Sequence, residues 1–312
     1  MKTRFLKHAS AVLFLATLAA CGGDDFDPAS RVSSFRVLAQ QMDAPYAAPG
    51  ETVHVSSLVH DDAGRSVTWA WATCLNPPSS SVMGCLDKIA EDSKNGQFSF
   101  LAMGADVDAV DVQVPADALA ALPADVRSTA SLGVMSVACP GTLALGAGST
   151  GFPFRCTDAE TQRELGLDEF VVGVKRVVVR ETDKNQNPVI DRITLDGKEW
   201  TPDQVPELRA CDESGNNLSL CPEELQHRVS AVLTPASFEA GTTEFAEGFD
   251  EQLVVQYFAT EGIFESDSRI ADSPENKWVA REQSRGQTLT FWFVARDNRG
   301  GVVWTTREAQ VP

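Results

Sequence analysis

The chain has 312 residues, a formal net charge of −18 and 43 % hydrophobic residues. So acidic a surface repels nucleic acid and anionic membrane faces, which excludes both as simple electrostatic partners. The length suits two domains of ordinary size.

The first residues carry Lys2, Arg4 and Lys7 and no acid, followed by an apolar run over residues 9–20. That run has the length of a signal-peptide core and is too short to span a bilayer as a helix. It ends Leu18-Ala19-Ala20-Cys21, and Gly22 follows. The pattern resembles the lipobox of bacterial lipoproteins. The resemblance implies a signal peptide over 1–20, cleavage before Cys21, lipidation of its thiol and a tether over 21–30. Several acyl chains give a stable anchor where one gives a marginal one. Asp in place of Gly22 marks inner-membrane retention in enteric bacteria, so by that analogy the destination is the outer membrane, with the face left open.

Six further cysteines, Cys74, Cys85, Cys139, Cys156, Cys211 and Cys221, fall into three couples close in sequence. Export makes disulfides the expectation. Six cysteines allow fifteen connectivities. Local pairing, 74–85, 139–156 and 211–221, is expected because each couple brackets turn residues: Asn76-Pro77-Pro78, Pro140-Gly141, and Gly215-Asn216-Asn217. Each closure is worth about 3 kcal/mol through the unfolded chain. No Cys-x-x-Cys pair suggests a metal site.

The folded part opens over 31–41. Val53, Val55 and Val59 then alternate with Thr52, His54 and Ser56, the pattern of a strand with one buried face. Asp61-Asp62-Ala63-Gly64 is a turn, after which Val67, Trp69 and Trp71 share one strand face. Phe98 with Phe100, then Val110, Val112 and Val114, then Leu132, Val134 and Val137 mark further strands. Residues 170–179 are dense in valine and read as a central or last strand. The alanine-rich stretch 116–126, with Pro123 inside, predicts a short helix or turn. A second helical turn is predicted over 158–167.

A polar stretch over 181–188 suggests a boundary, giving domains over 31–182 and 183–312. In the second, Asp196-Gly197 is a hairpin signal. Strands are predicted over 228–233, 252–260 and 288–295, with a tight turn at 297–301 and a return over 302–310. Many short strands between turns predict an all-β protein with a sandwich in each half. Ala48-Pro49-Gly50-Glu51-Thr52-Val53 with Val67-Thr68-Trp69-Ala70-Trp71, and the closing stretch from Phe291 to Gly301, resemble bacterial Ig-like and PKD-type modules. The layout is similar to tandem-module surface lipoproteins of the myxobacterial kind. The resemblance implies two Ig-like β-sandwich domains in tandem. The cysteine spacing departs from immunoglobulins, whose bridge spans a long sequence gap, and such a fold does not dictate a function.

No His-Glu-x-x-His, phosphate-binding loop or dinucleotide fingerprint occurs. Ser149 lies near the nucleophile-elbow pattern, but Ala147 stands where that pattern needs glycine. Asp183, Asn185 and Asn187 resemble the start of a calcium loop. Pro188 replaces its glycine and Thr194 its bidentate glutamate, which favours a polar linker. Trp69 and Trp71, like Phe291 and Phe293, read as core. Trp292 and Trp304 face the other way and are candidates for a partner surface if exposed. Asn217-Leu218-Ser219 matches a glycosylation sequon by chance. These features favour a non-enzymatic binding or structural module, anchored by lipid and needing no cofactor. Its partner would be an envelope protein or a glycan. The alternatives are a hydrolase with a site on the loops between Cys74 and Cys156, and a calcium-stiffened spacer.

Overall fold

A computed structural model describes residues 28–77, 81–94, 100–120, 122–146, 149, 152–212, 217–242 and 248–312. The signal stretch and Cys21 lie outside the described residues, as do Phe98, Pro78, Gly215 and Asn216. The chain is nearly all-β, built as two β-sandwiches.

The first sandwich follows from period-two alternation. Its strands are β1 (Arg36–Met42), β2 (Tyr46–Ala47), β3 (Thr52–His60), β4 (Thr68–Leu75), β5 (Phe100–Ala105), β6 (Ala109–Gln113), β7 (Ser131–Cys139) and β10 (Val171–Val179). One sheet has the order β1-β3-β6 and the other β2-β10-β7-β4-β5. Between them lie Val53, Val55, Val112, Trp69, Trp71, Leu132, Val134, Val177 and Val179. Trp69 and Trp71 stack with ring centroids 5.4 Å apart. The Trp71 indole N–H donates to the Val107 carbonyl at 2.8 Å. This satisfies the buried indole N–H of Trp71.

Strand β7 is buried along its whole length. Its even-numbered residues face the sandwich interior; Met135, Val137 and Cys139 face outward with Ala70, Ala72 and Cys74 of β4. A strand buried on both faces needs a third layer. Here that layer is helix α1 (Val82–Lys94) and the hairpin of β8 (Thr142–Leu145) with β9 (Phe154–Thr157). The hairpin fills the second cysteine couple, whereas α1 begins just inside the first and continues past Cys85 to Lys94. In α1, Cys85, Leu86 and Ile89 meet the outer face of the sheet, and the Ser81 hydroxyl accepts from the Gly84 N–H at 3.1 Å as an N-cap. The Cys74–Cys85 disulfide ties β4 to α1, and Cys139–Cys156 ties β7 to β9. The predicted helical elements differ in detail. Residues 116–120 form turns and a 3₁₀ turn follows at Ala124–Thr129. The 158–167 stretch forms turns around a bridge from Thr157 to Glu164 rather than a helix.

The second sandwich holds β11 (Ile190–Leu195), β12 (Lys198–Glu199), β13 (Ala210–Cys211), β14 (His227–Leu233), the small hairpin β15 (Ala240–Thr242) with β16 (Gly248–Asp250), β17 (Val254–Ala259), β18 (Ile263–Phe264), β19 (Ser268–Ile270), β20 (Asn276–Arg281), β21 (Gln287–Arg296) and β22 (Val302–Val311). Sheet β12-β11-β14-β20-β13, with β18 beside β20, faces sheet β19-β17-β21-β22. Phe291 is the hub of the core, with Trp200 at 5.3 Å and Trp278 at 4.9 Å between ring centroids. Phe293 and Tyr257 complete it. The Asp196-Gly197 hairpin forms as expected, both residues at positive φ. The third disulfide, Cys211–Cys221, packs with Ile263 and Val279 in a satellite cluster.

Gly133 of β7 lies against the first disulfide: a Cβ there would collide with Cys74 Sγ. Gly133→Ala should therefore destabilise the chain by about 2 kcal/mol, the cost of overpacking a closed core. Denaturant unfolding under oxidising conditions measures it. An unchanged midpoint would show that the helix layer yields freely.

Candidate functional site

The most elaborate constellation of side chains lies where the two sandwiches meet. Its centre is apolar. Phe258 of β17, Trp292 and Val294 of β21 and Val302 of β22 lie on the face opposite the second core and pack on Leu38 and Ala39 of β1 and on Val32. Leu58 and Trp304 flank them. Trp292 is 5 % exposed, and its ring lies 4.9 Å from that of His60. Burial at this contact lowers the His60 pKa, against the pull of Asp62 and Asp61. Trp292 and Trp304 do share one face across the β21–β22 turn, as their sequence parity implied. The expectation of an exposed partner surface is corrected: the first sandwich covers Trp292, and Trp304 is half-buried.

The chain entering the first sandwich is held by the second. The Val32 N–H donates to the Ala259 carbonyl at 2.8 Å, and the Ala259 N–H to the Ser30 carbonyl at 2.9 Å. Arg31 lies 3.7 Å from Glu261. The end of the expected tether is thus docked, since Ser30 is buried.

A polar rim surrounds the seam. The turn after β21 is organised by Asp297, whose Oδ1 accepts from the N–H groups of Arg299 (2.8 Å) and Gly301 (2.7 Å). Its Oδ2 accepts from the Asn185 amide at 2.9 Å. Asn187 donates to the Met42 carbonyl at 2.6 Å and accepts from the Val302 N–H at 2.9 Å, so one side chain joins both sandwiches. Arg299 lies over the Tyr46 ring, 5.0 Å from its centroid. It reaches the Asp183 carbonyl at 3.2 Å and lies 3.4 Å from Glu239 and 3.7 Å from Glu251. Burial raises the Glu251 pKa, and the nearby Asp297 and Glu239 add to the rise. Lys175 of β10 donates to the Gly300 carbonyl at 2.8 Å, and Arg296 donates to the Leu38 carbonyl at 2.8 Å.

The three residues of the calcium-like pattern all lie at this junction. Asn185 and Asn187 clip the linker, Asp183 contributes its carbonyl to a guanidinium, and Arg299 is the cation among these acids. Among the described residues no group of three or more His, Cys, Asp or Glu side chains is placed to hold a metal. Ser149 donates its hydroxyl to Glu164 at 3.0 Å, the contact of a loop clip. What the sequence reading missed is the seam itself. Its signal was present: Trp292, Val294, Val302 and Trp304 make an outward face too apolar for water.

Beside the rim, an open cleft of about 440 Å³ lies between β11 and β22, with Gln41 of β1 on its wall. Arg192 and Arg307 line it, as do Asp191, Trp304 and Thr305.

The fold and junction define an all-β protein of tandem, docked sandwich modules. No family model matches the chain, and no curated protein matches it. Among solved structures it is similar to one described as the D0-D1 domain of Intimin, at 10 % identity over 88 % of this chain and 99 % of that one, with a TM-score of 0.21. It is also similar to dimeric latent PorU from Porphyromonas gingivalis, at 10 % identity over 89 % of this chain, with a TM-score of 0.20. The match takes in 24 % of the PorU chain. Similarity at that level carries nothing about activity.

Two measurements test the junction. Trp292→Ala should cost about 3 kcal/mol, the range for deleting a buried aromatic, and should speed proteolysis in the 181–188 linker; unchanged cleavage would mean the sandwiches stay docked without it. Lys175 has its pKa lowered to about 8, first by burial, then by Arg296, with Asp297 opposing. The native state therefore releases this proton before the unfolded chain does, and stability rises with pH between about 8 and the ordinary lysine pKa of about 10.4. Lys175→Met removes that contribution, so its stability relative to wild type should fall across the same window. Parallel pH profiles would rule out a buried cation at the junction.

Proposed function

We propose that the chain is a lipid-anchored, extracytoplasmic binding or structural module without catalytic activity of its own. The junction carries the reading. An apolar seam and a hydrogen-bonded rim join two small sandwiches into one extended unit and dock the entering chain onto it. Such a unit presents loops in a fixed relation, which is what a scaffold or receptor needs.

Three disulfides support an oxidising compartment outside the cytoplasm. The Leu-Ala-Ala-Cys run supports lipid attachment at Cys21, and the residue after it an outer-membrane address. The side chains that suggested other chemistry are engaged structurally: Ser149 on Glu164, and Asn185 and Asn187 in the rim. The partner, an envelope protein or a glycan, is reached through the surface that the seam leaves free.

Cys21→Ser tests the anchor. The exported wild type should yield an N-terminal peptide beginning at an acylated Cys21, read by mass spectrometry. The variant should carry no lipid and either leave the membrane fraction or persist as uncut precursor. An unmodified N-terminus elsewhere in the wild type would sink the anchored reading and make the protein soluble and secreted.

A further inference from the structure

We propose that the cleft between β11 and β22 binds a carboxylate-bearing saccharide of one or two rings, with Arg307 and Arg192 reading the acid. This rests on the binding reading above and gives its ligand a chemical class.

The argument starts from three buried arginines. Arg281 is 7 % exposed, Arg299 9 % and Arg307 8 %. A buried charge is tolerated when it is paired and hydrogen-bonded. Arg281 meets that condition through Glu261, to which its Nε donates at 2.7 Å. Arg299 meets it through Glu239 and Glu251. Arg307 has no carboxylate within ion-pair distance among the described residues. Its Nε donates to the Trp200 carbonyl at 2.6 Å, and its Nη1 to Thr305 Oγ1 at 2.9 Å and the Thr306 carbonyl at 2.7 Å. All three acceptors are neutral, and Nη2 donates to none of the described residues. In a chain with 44 acids and 26 lysines and arginines, a buried guanidinium without an acid is an exception that calls for a counter-ion.

Its position sharpens the point. On β22, Ala309 and Val311 face the core, and Arg307, in the same alternation, sits opposite Phe291. An inward cation there is held by three fixed acceptors at the wall of an open cleft, so its fork is oriented before any ligand arrives. Burial already lowers its pKa, with Glu199 the opposing influence. An incoming carboxylate would supply the missing charge and accept from Nη2.

The rest of the wall fits a sugar acid. Arg192 stands half-exposed on the cleft and pairs with the adjacent Asp191. Trp304 gives an aromatic surface, and Gln41, Asp191 and Thr305 give donors and acceptors for ring hydroxyls. A volume of about 440 Å³ falls in the range of small-ligand sites. Gln41 brings in the first sandwich, so the site exists only while the junction is docked.

The test is titration calorimetry of the exported full chain in a polyoxyethylene detergent, with digalacturonic acid at neutral pH. Saturable binding is expected, weakened about tenfold or more in Arg192→Gln and in Arg307→Lys, since a hydrogen bond to a charged group is lost in each. A neutral digalactoside and succinate should each bind at least as weakly as the variants bind the acid. Arg192 is exposed, so its variant separates lost binding from lost folding; a melting curve does the same for Arg307→Lys. No saturable binding by wild type, equal binding of the neutral disaccharide, equal binding of succinate, or unchanged affinity in both variants would each overturn the proposal. Acylation of Cys21 is read separately, so a dry cleft would leave the anchored module standing.

Discussion

The docking of the two sandwiches depends on one apolar contact, the burial of the outer face of β17, β21 and β22 against β1. A β-sandwich has two outer faces, and water normally covers both. Here Phe258, Trp292, Val294 and Val302 make one of them apolar, and Leu38, Ala39 and Val32 supply the matching surface. Burying such a face contributes about 25 cal/mol for each Å² removed from water. The polar rim adds direction rather than bulk energy. A hydrophobic seam alone would permit the modules to slide, whereas Asn187, bonded to Met42 on one side and Val302 on the other, admits one register. The exposed Lys184–Glu51 pair is part of the same rim, but so wet a pair contributes little.

The same demand, a sheet face that water must not touch, built the third layer of the first domain. Strand β7 offers Met135, Val137 and Cys139 on its outer face. A helix of thirteen residues and a two-stranded hairpin are marginal as independent structures. They are fastened to the sheet they cover by Cys74–Cys85 and Cys139–Cys156. The disulfides thus stand where a small layer needs a staple, away from the inter-sheet core where an immunoglobulin carries its bridge. Gly133 shows how closely the staple lies: the strand passes the first disulfide with no room for a Cβ.

How much of this the sequence disclosed follows from what each pattern encodes. Alternation at Val53 and Val55, at Trp69 and Trp71, and at Phe291 and Phe293 reports which side of a strand is buried, and those residues are core. Asp196-Gly197 reports a local backbone need and forms its hairpin. The helix was harder to read. Val82, Cys85, Leu86 and Ile89 carry the helical spacing, but Pro77-Pro78 and the flanking cysteines gave the stretch the look of a loop. The junction was the least legible, because alternation says that Trp292 faces away from Phe291 and Phe293 without saying what lies there. An outward tryptophan reads alike whether it awaits a foreign partner or a neighbouring module of the same chain. Asp183, Asn185 and Asn187 show a similar ambiguity: oxygen-rich side chains at alternate positions suit a cation, and here the cation among the acids is the guanidinium of Arg299.

The guanidinium chemistry of the junction extends to the cleft. Arg281 and Arg299 each bring their own carboxylates, so the charge they carry is closed within the fold. Each such pair closes its charge at folding. Arg307 differs in one respect, the absence of an acid, and that single difference turns an inward arginine from a strut into a receptor. Acid is abundant in this chain, and Glu199 is close enough to be felt, yet none of the described residues brings a carboxylate within ion-pair distance of the guanidinium. Closing that charge internally would have taken one glutamate on a neighbouring strand; leaving it open keeps a positive point at the wall of a cleft on an otherwise negative molecule. The negative surroundings also filter what arrives. A polyanion feels the whole surface and is repelled, whereas a short saccharide with one or two carboxylates feels mainly the local field of Arg307 and Arg192.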